Sequence, residues 1–161
     1  MIPVTVQIRD VRDDDLDVFF EHQREPKAVR MAAFPARDRD VFLAHWAKIR
    51  ADPANVLQAV LVDGRVAGNL GSWEQDGQRL VCYWIGQEYW GQGVATQALG
   101  LLLDLVRTRP LYAEVAVHNV GSIRVLEKCG FRLVGGPDEP HSTVGADGIA
   151  EVTLVLAADP A

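Results

Sequence analysis

The sequence contains few cysteines, and none is arranged as in a disulfide framework or a zinc site. Only Cys82 and Cys129 occur among the 161 residues, without a CxxC motif or a Cys/His cluster. Neither a disulfide nor a structural metal is therefore expected. Both cysteines lie beside apolar residues or glycine, and we expect them to be small buried hydrophobic side chains. One domain over residues 1–161 is long enough to bury a core without such links.

The sequence also lacks an excess of positive charge. It has 16 Lys and Arg against 22 Asp and Glu, a formal net charge of −6 at pH 7, and no basic stripe. Affinity for nucleic acid comes mainly from cations that contact phosphates. Nucleic acid is therefore not expected as a partner.

Long apolar runs are absent too. Residues 1–9 lack the pattern of a signal peptide, and the longest apolar helix, near residues 94–106, is too short to span a bilayer. With 48% hydrophobic and 24% charged residues, the composition is typical of a soluble globular protein. We expect a cytoplasmic protein without a membrane partner.

The first half of the sequence mixes helical and strand-like patterns. Asp13–Asp15 provide a helix cap and an acidic first turn, and helical spacing returns over Asp38–Arg50. Between these helices the periodicity of Gln23–Arg37 breaks up, which predicts an irregular connection. Asp63-Gly64 and Asp76-Gly77 separate apolar runs and are strong hairpin signals, so three strands form an antiparallel meander. The predicted strands of this half are Thr5–Arg9, Val56–Val62, Arg65–Trp73 and Arg79–Gln87.

The second half predicts a parallel crossover. A helix with one apolar face starts at Val94, and Pro110 prevents the helix from continuing. A strand is predicted over Leu111–Val117. Strand, helix and strand in this order imply a parallel pair, so the fold class is α/β with a mixed sheet. Asn119 can cap a further helix that ends at Gly130. The helix over Val94–Leu105 has its apolar face at Val94, Ala98, Leu101, Leu102 and Leu105. The elements expected after Asn119 are a helix over Val120–Cys129, strands over Phe131–Val134 and Ile149–Leu156, and a polar loop over Gly135–Gly148.

The most informative stretch is the glycine loop, Tyr89-Trp90-Gly91-Gln92-Gly93-Val94-Ala95-Thr96. Its two glycines allow a sharp turn that exposes backbone N–H groups, and the first turn of the next helix has free N–H groups at a positive dipole end. The loop is therefore a candidate phosphate site. It is no nucleotide P-loop, because Gly-Lys-Ser/Thr does not follow, and it lacks the third glycine of the dinucleotide fingerprint. Alone, it is equally typical of a plain strand-to-helix turn.

A second motif supports the phosphate interpretation. It reads Asn119-Val120-Gly121-Ser122-Ile123-Arg124-Val125-Leu126-Glu127-Lys128-Cys129-Gly130-Phe131. With both motifs, nearly the whole chain resembles the GNAT superfamily of N-acetyltransferases, and within it the RimJ/RimL-like branch that acetylates ribosomal-protein N-termini. The resemblance implies the GNAT fold. In that fold, two splayed parallel strands flanked by helices, here Arg79–Gln87 and Leu111–Val117, hold acetyl-coenzyme A between them.

The resemblance also implies cofactor contacts. The pyrophosphate would rest on the backbone of the glycine loop, and the pantetheine arm would bind the preceding strand, where Gly86 suits a β-bulge. Trp90 stands where many relatives carry Arg or Gln. Asn119 would lie near the arm and Ser122 near the thioester sulfur, although they can instead be a helix cap and a solvated hydroxyl. The implied cofactor-binding residues are Trp84, Ile85, Gly86, Gln87, Gly91, Gln92, Gly93, Val94, Ala95, Thr96, Asn119 and Ser122.

Acetyl transfer from a thioester to an amine needs a donor for the oxyanion and a donor for the leaving sulfur. A backbone N–H near Trp84–Gly86 is the expected oxyanion donor. Many relatives have a tyrosine as the acid at the position of Leu126, and leucine cannot donate a proton. The RimL-like branch implies Ser122 instead, as the catalytic residue that protonates or orients the thiolate.

The reaction also needs a neutral amine, and the base is less clear from the sequence. Leu80 occupies the position at which relatives often carry glutamate. The remaining candidates are Glu74, Glu114 and His118, and each is more typical of a solvated or structural side chain. A water chain, or an amine that arrives neutral, would serve as well.

The acceptor, the amine of a protein N-terminus or of a small molecule, would enter opposite the cofactor. It would pass between Gln23–Arg37 and the loop before the last strand. Two of the candidate contacts, Met31 and Phe34, can equally cap the core. The candidate acceptor contacts are Arg30, Met31, Phe34, Trp73, Tyr83 and His141.

Two functions remain open from the sequence. The first is an acetyl-coenzyme A dependent N-acetyltransferase, a transferase in which the amine attacks the thioester directly in a ternary complex. The alternative is a module that binds acyl-coenzyme A as a sensor or partner protein without turnover, which Leu80 and Leu126 favour. Ser122 and the intact glycine loop favour the enzyme. The chain can be a monomer or a homodimer.

Overall fold

The computed structural model describes residues 4–134, 143–144 and 150–158. Its helices are α1 (Asp15–Arg24), α2 (Pro26–Ala32), α3 (Arg39–Ala51), α4 (Val94–Leu105) and α5 (Val120–Lys128). Its strands are β1 (Val6–Asp10), β2 (Val56–Val62), β3 (Arg65–Gln75), β4 (Gln78–Ile85), β5 (Leu111–Ala116), β6 (Arg132–Leu133), β7 (Thr143–Val144) and β8 (Ala150–Leu156). A short 3-10 turn, Gln87–Tyr89, follows β4.

The strands form one mixed sheet in the order β1-β2-β3-β4-β5-β8-β6, with β7 also paired to β8. Strands β1 to β4 are antiparallel, whereas β4 and β5 are parallel and pair only at Arg79–Leu111 and Leu80–Tyr112. Beyond Leu80 the two strands diverge. The predicted α/β class, the meander and the splayed parallel pair are confirmed.

Helices cover both faces of the sheet. Leu102 of α4 and Leu126 of α5 pack with Val60 on one face, and Trp46 of α3 packs with Ala59 on the other. Ala59 and Val60 are neighbours in β2, and successive strand residues point to opposite faces. The sheet therefore separates two apolar layers. Among the described residues, no helix is long and apolar enough to cross a membrane.

The predicted apolar face of α4 is partly wrong. Leu101 and Leu105 are 36% and 56% exposed. The buried face instead passes through Leu99 and continues to the C-cap residue Val106, because the helix is rotated slightly against the sheet relative to the predicted stripe. Because leucines lie on several sides of this helix, the apolar pattern of the sequence does not show which side packs against the sheet. The buried residues of this face are Val94, Ala98, Leu99, Leu102 and Val106.

The predicted irregular connection over Gln23–Arg37 is also wrong in its centre, which forms α2. Glu25 is extended, as residues before proline usually are, and Pro26 begins the helix with its φ already suitable. Ala33, in the left-handed conformation at φ +52°, ends it. A helix of 7 residues completes only two turns, so periodicity could not reveal it.

Four local predictions need correction: a helix cap, a strand end, the burial of the cysteines and a loop. Asp14 makes no side-chain cap at the start of α1. Strand β4 ends at Ile85 without a bulge, and the Gly86 N–H continues the ladder to Ala67 O at 2.8 Å. Gly86 is glycine for another reason, since a Cβ there would lie 2.5 Å from Nε2 of His22. Cys82 is exposed and Cys129 half-buried, so neither thiol is fully buried. The predicted loop over 135–148 contains β7.

Asp15 joins β1 to α1 through an ion pair whose carboxylate is buried and whose guanidinium, that of Arg9, is partly exposed. Its carboxylate accepts from Arg9 Nη1 and Nη2 at 2.7 and 2.9 Å and from the Arg12 N–H at 2.8 Å. Burial disfavours the charge of Asp15, but these hydrogen bonds and the attraction of both arginines outweigh it and hold the pKa below its usual value. The folded state therefore favours the ionised form.

We expect Asp15→Asn to lower the free energy of unfolding by about 2 kcal/mol, because it leaves Arg9 without its partner. The lowered pKa means that this stabilisation is present above the unfolded-state pKa of about 3.9 and is lost as the pH falls through the folded pKa. Urea unfolding at pH 7 and at acidic pH measures both effects. The matched control is Asp17→Asn, whose carboxylate is 79% exposed in its pair with Arg39. Equal losses in the two variants would contradict the role of Asp15.

Candidate active site

A cleft of about 470 Å³ opens where β4 and β5 diverge. Helix α2 and the end of β4 form one wall, and α5 forms the other, with the glycine loop and the start of α4 between them. The lining residues are Ala28, Met31, Ala32, Tyr83, Trp84, Ile85, Tyr89, Trp90, Gly91, Gly93, Val94, Ala95, Thr96, Asn119, Gly121, Ser122, Arg124, Val125 and Lys128.

The glycine loop presents backbone N–H groups to this cleft. Gly91 and Gly93 both have φ of +76°, a conformation that strongly favours glycine, and Gly93 caps α4. The Gln97 N–H donates to Gly93 O at 3.1 Å and makes the first hydrogen bond within the helix. The N–H groups of residues 94–96 therefore have no acceptor in the helix, and all three of these residues line the cleft.

The end of β4 presents further N–H groups. In an antiparallel ladder, successive N–H groups point alternately to the two sides of the strand. Because the Gly86 N–H points to β3, those of Tyr83 and Ile85 point to the side from which β5 has diverged. Trp90 fixes this corner, since its indole N–H donates to Ile85 O at 2.8 Å.

Two side-chain contacts organise the first turn of α5. The Ser122 N–H donates to Asn119 Oδ1 at 3.2 Å, which confirms the predicted helix cap. The Ser122 hydroxyl lies 2.6 Å from the phenol oxygen of Tyr83, across the cleft on β4. Burial raises the pKa of Tyr83 to about 12, although the hydrogen bond with Ser122 acts in the opposite direction. At neutral pH the pair therefore consists of two neutral hydroxyls.

Residues 5–132 match the family model of the acetyltransferase (GNAT) domain. The chain belongs to the GNAT acetyltransferase family. This match spans most of the chain, and it confirms the family expected from the two motifs and with it an acetyltransferase. No curated protein sequence is similar enough to this chain to count as a relative.

Solved GNAT structures share the fold. Spermidine N-acetyltransferase from Vibrio cholerae, in complex with coenzyme A and spermine, is 17% identical with a TM-score of 0.78, over 94% of this chain and 95% of that one. The aminoglycoside acetyltransferase AAC(6')-Ib, in complex with coenzyme A and kanamycin, is 20% identical with a TM-score of 0.75, over 95% of both chains. A GNAT-family acetyltransferase from Bacillus anthracis is 16% identical with a TM-score of 0.76, over 94% of both chains.

The GNAT cleft contains most of the expected cofactor residues but not all of them. Its lining does not include Gly86, Gln87 or Gln92. The Gln87 N–H donates to Glu25 Oε1 at 2.9 Å, and Gln92 Nε2 donates to Glu88 O at 3.1 Å. The expected cofactor residues that line the cleft are Trp84, Ile85, Gly91, Gly93, Val94, Ala95, Thr96, Asn119 and Ser122.

Of the expected acceptor contacts, Met31 and Tyr83 line the cleft, whereas Arg30, Phe34 and Trp73 do not. Arg30 is exposed on α2, and its backbone oxygen accepts from His118 Nε2 at 2.7 Å. The Phe34 ring stacks with the guanidinium of Arg37, 4.8 Å away. Trp73 donates through its indole N–H to Gln75 at 3.2 Å. His141 lies outside the described residues.

The candidate bases do not reach the cleft. Glu74 and Glu114 are exposed on β3 and β5. The His118 side chain donates from Nε2 to the backbone oxygen of Arg30. Leu80 and Leu126, at the positions where a base and an acid were expected, are buried at 4% and 1% exposure, and Leu126 packs in the apolar core. Among the described lining residues there is no carboxylate and no imidazole.

Several residues that line the cleft were not predicted from the sequence. Ala28 and Ala32 were missed because α2 was expected to be irregular. Arg124 and Lys128 are four residues apart on α5, so they share one helix face and place two cations at the cleft. Their spacing in the second motif was the available signal. The other residues missed as contacts are Tyr89, Trp90, Gly121 and Val125.

Proposed function

We propose that this chain is an N-acetyltransferase that moves the acetyl group of acetyl-coenzyme A to a primary amine. The single observation that carries the proposal is the cleft between the diverging strands. It has free backbone N–H groups at the glycine loop and a pair of hydroxyls at Tyr83 and Ser122. The coenzyme A complexes of the spermidine and aminoglycoside enzymes, which share this fold, support the choice of cofactor.

The lining suits acetyl-coenzyme A in charge and in hydrogen bonding. The free N–H groups of residues 94–96 and the cations of Arg124 and Lys128 match phosphates. The N–H groups of Tyr83 and Ile85 match the amide carbonyls of an extended arm that lies along β4 as an added strand. When bound, the cofactor supplies an activated thioester carbonyl.

The remaining chemistry falls to a few groups of the chain. A neutral amine attacks the thioester carbonyl directly in a ternary complex, and a β4 N–H near Ile85 donates to the oxygen that becomes negative. Ser122 donates a hydrogen bond to the departing sulfur. Because the described lining holds no base, the amine loses its proton to water.

We assign the chain to the RimJ/RimL-like branch on the strength of Ser122 and Leu126, and we propose a single domain that acts in the cytoplasm as a monomer or homodimer. For the acceptor, a protein N-terminus and a small amine are both compatible with this branch. The spermine and kanamycin complexes of the similar structures support a small amine.

The direct test is release of coenzyme A in the presence of a panel that contains spermidine, kanamycin and short peptides with free N-termini. We expect at least one amine to raise the rate well above hydrolysis and to give an acetylated product by mass spectrometry. If none does while acetyl-coenzyme A still binds, the chain is instead a cofactor-binding module, a sensor or partner protein, as Leu80 and Leu126 would suggest.

The absence of a base in the described lining predicts a particular pH dependence. We expect kcat/KM to rise with pH along the titration of the acceptor itself. An N-terminal amine and an alkylamine titrate near about pH 8 and about pH 10, so the midpoints of their profiles should differ by about two units. Profiles with the same midpoint for both acceptors would reveal a base on the enzyme.

A further inference from the structure

We infer that Tyr83 is a positioning residue, whose phenol holds the Ser122 hydroxyl so that the Ser122 proton points to the sulfur of the departing coenzyme A. The inference rests on the proposed acetyl transfer and adds to it a residue that the sequence placed among the acceptor contacts. The observation behind it is the distance of 2.6 Å between Tyr83 Oη and Ser122 Oγ.

This hydrogen bond joins the two walls of the cleft. Tyr83 lies on β4 beyond Leu80, the last residue paired with β5, and Ser122 lies in the first turn of α5. Asn119 anchors the Ser122 backbone from within its own helix, at 3.2 Å. Tyr83 thus holds the hydroxyl of Ser122, and Asn119 holds its backbone.

The chemistry of the two hydroxyls favours one direction of the bond, although the distance alone fits either atom as the donor. A phenol is a stronger acid than an alcohol, so Tyr83 is the better donor and Ser122 Oγ the better acceptor. The other acceptor near Tyr83 Oη, the backbone oxygen of Ser122, is farther away at 3.3 Å. With Tyr83 as the donor, the Ser122 proton stays free for a ligand. Because consecutive hydrogen bonds polarise one another, Ser122 also becomes a stronger donor.

The step balances without a proton transfer from either hydroxyl. The nitrogen–carbon bond forms, the carbon–sulfur bond breaks with its electron pair on sulfur, and the amine proton passes to water. A free thiol titrates near about pH 8.5, whereas burial raises the pKa of Tyr83 to about 12. The thiolate is therefore too weak a base to remove the phenol proton. The pair stabilises the thiolate by a directed hydrogen bond.

The same pairing explains how the chain functions with Leu126 where relatives carry a tyrosine. Leu126 is buried at 1% exposure and faces the core. The phenol of Tyr83 reaches the first turn of α5 from β4 instead. Ser122 then stands between the phenol and the ligand.

The test combines Tyr83→Phe, Ser122→Ala and the double variant, with acetyl-coenzyme A and the best acceptor of the panel. Phenylalanine keeps the ring and removes only the hydroxyl. We expect Tyr83→Phe to lower kcat about tenfold, the equivalent of one pKa unit of thiolate stabilisation, with KM for acetyl-coenzyme A unchanged. In the Ser122→Ala background it should have no further effect, because its partner is gone. Tyr112→Phe, on β5 outside the lining, is the matched control and should retain full activity.

Three results would overturn the inference: an unchanged kcat in Tyr83→Phe, an equal loss in both backgrounds, or an effect on KM alone. If the wild type shows no turnover at all, the proposed function fails. The role of Tyr83 is then tested separately, through the pKa of the thiol of bound coenzyme A. This pKa, read from thiolate ultraviolet absorbance against the desulfo-coenzyme A complex, should be about one unit lower in the wild type than in Tyr83→Phe. Equal values would contradict the role of Tyr83.

Discussion

Gly93→Val should reduce the affinity for coenzyme A about 100-fold, because two charge-assisted hydrogen bonds to phosphate are worth about 3 kcal/mol together. Gly93 has φ of +76° and precedes the free N–H groups at the start of α4. A β-branched side chain strongly disfavours this conformation, so the turn that holds these N–H groups in place would be distorted. Isothermal titration calorimetry with coenzyme A measures the loss.

The matched control for this variant is Gly77→Val. Gly77 has φ of +80° in the hairpin between β3 and β4, and a Cβ there would contact nothing within 4 Å. Both variants bear the same backbone strain, so both should lower the melting temperature by similar amounts. Only Gly93→Val should lose coenzyme A. If both bind it as the wild type does, the glycine loop is a turn and not the phosphate site.

Ser122→Ala should lower kcat about 100-fold, the lower end of what removing one hydrogen-bond donor to a developing negative charge costs, while the dissociation constant for acetyl-coenzyme A stays nearly the same. The effect falls on kcat because the sulfur gains its negative charge only as the carbon–sulfur bond breaks. The side chain does not hold the helix, since the cap contact of Asn119 is made to the Ser122 backbone. Steady-state kinetics together with calorimetry separates the two quantities.

The control for this variant is Ser122→Thr, which keeps the hydroxyl and should retain more activity than alanine. A loss of cofactor affinity as large as the loss of kcat would show that Ser122 binds the ground state. An alanine variant with full activity would remove Ser122 from the mechanism, and the release of the thiolate would then need no side-chain donor.

The features that the sequence predicted well depend on local chemistry. The hairpins at Asp63-Gly64 and Asp76-Gly77 have positive φ at all four positions, as Asp-Gly turns require. Gly130 ends α5 at φ +97°, and Asn119 caps its start. Each of these features involves residues within one turn of the chain, so the residue types alone indicate the geometry.

The features that the sequence missed depend on tertiary contacts. Gly86 suggested a bulge, but it is required by the His22 ring of α1, far away in the sequence. Tyr83 was expected to contact the acceptor, and its hydrogen bond to Ser122 becomes visible only when β4 and α5 are placed side by side. The rotation of α4 about its axis likewise depends on how the helix packs against the sheet.

Thermal unfolding with acetyl-coenzyme A, desulfo-coenzyme A and ATP in parallel is the most direct test of the cofactor cleft. A ligand at about 100 times its dissociation constant adds about 2.7 kcal/mol to the free energy of unfolding. We predict a clear rise in melting temperature with both coenzyme A compounds and a much smaller one with ATP, which lacks the pantetheine arm. Equal melting temperatures with and without all three ligands would contradict the cofactor cleft, and the acetyltransferase proposal would fail with it.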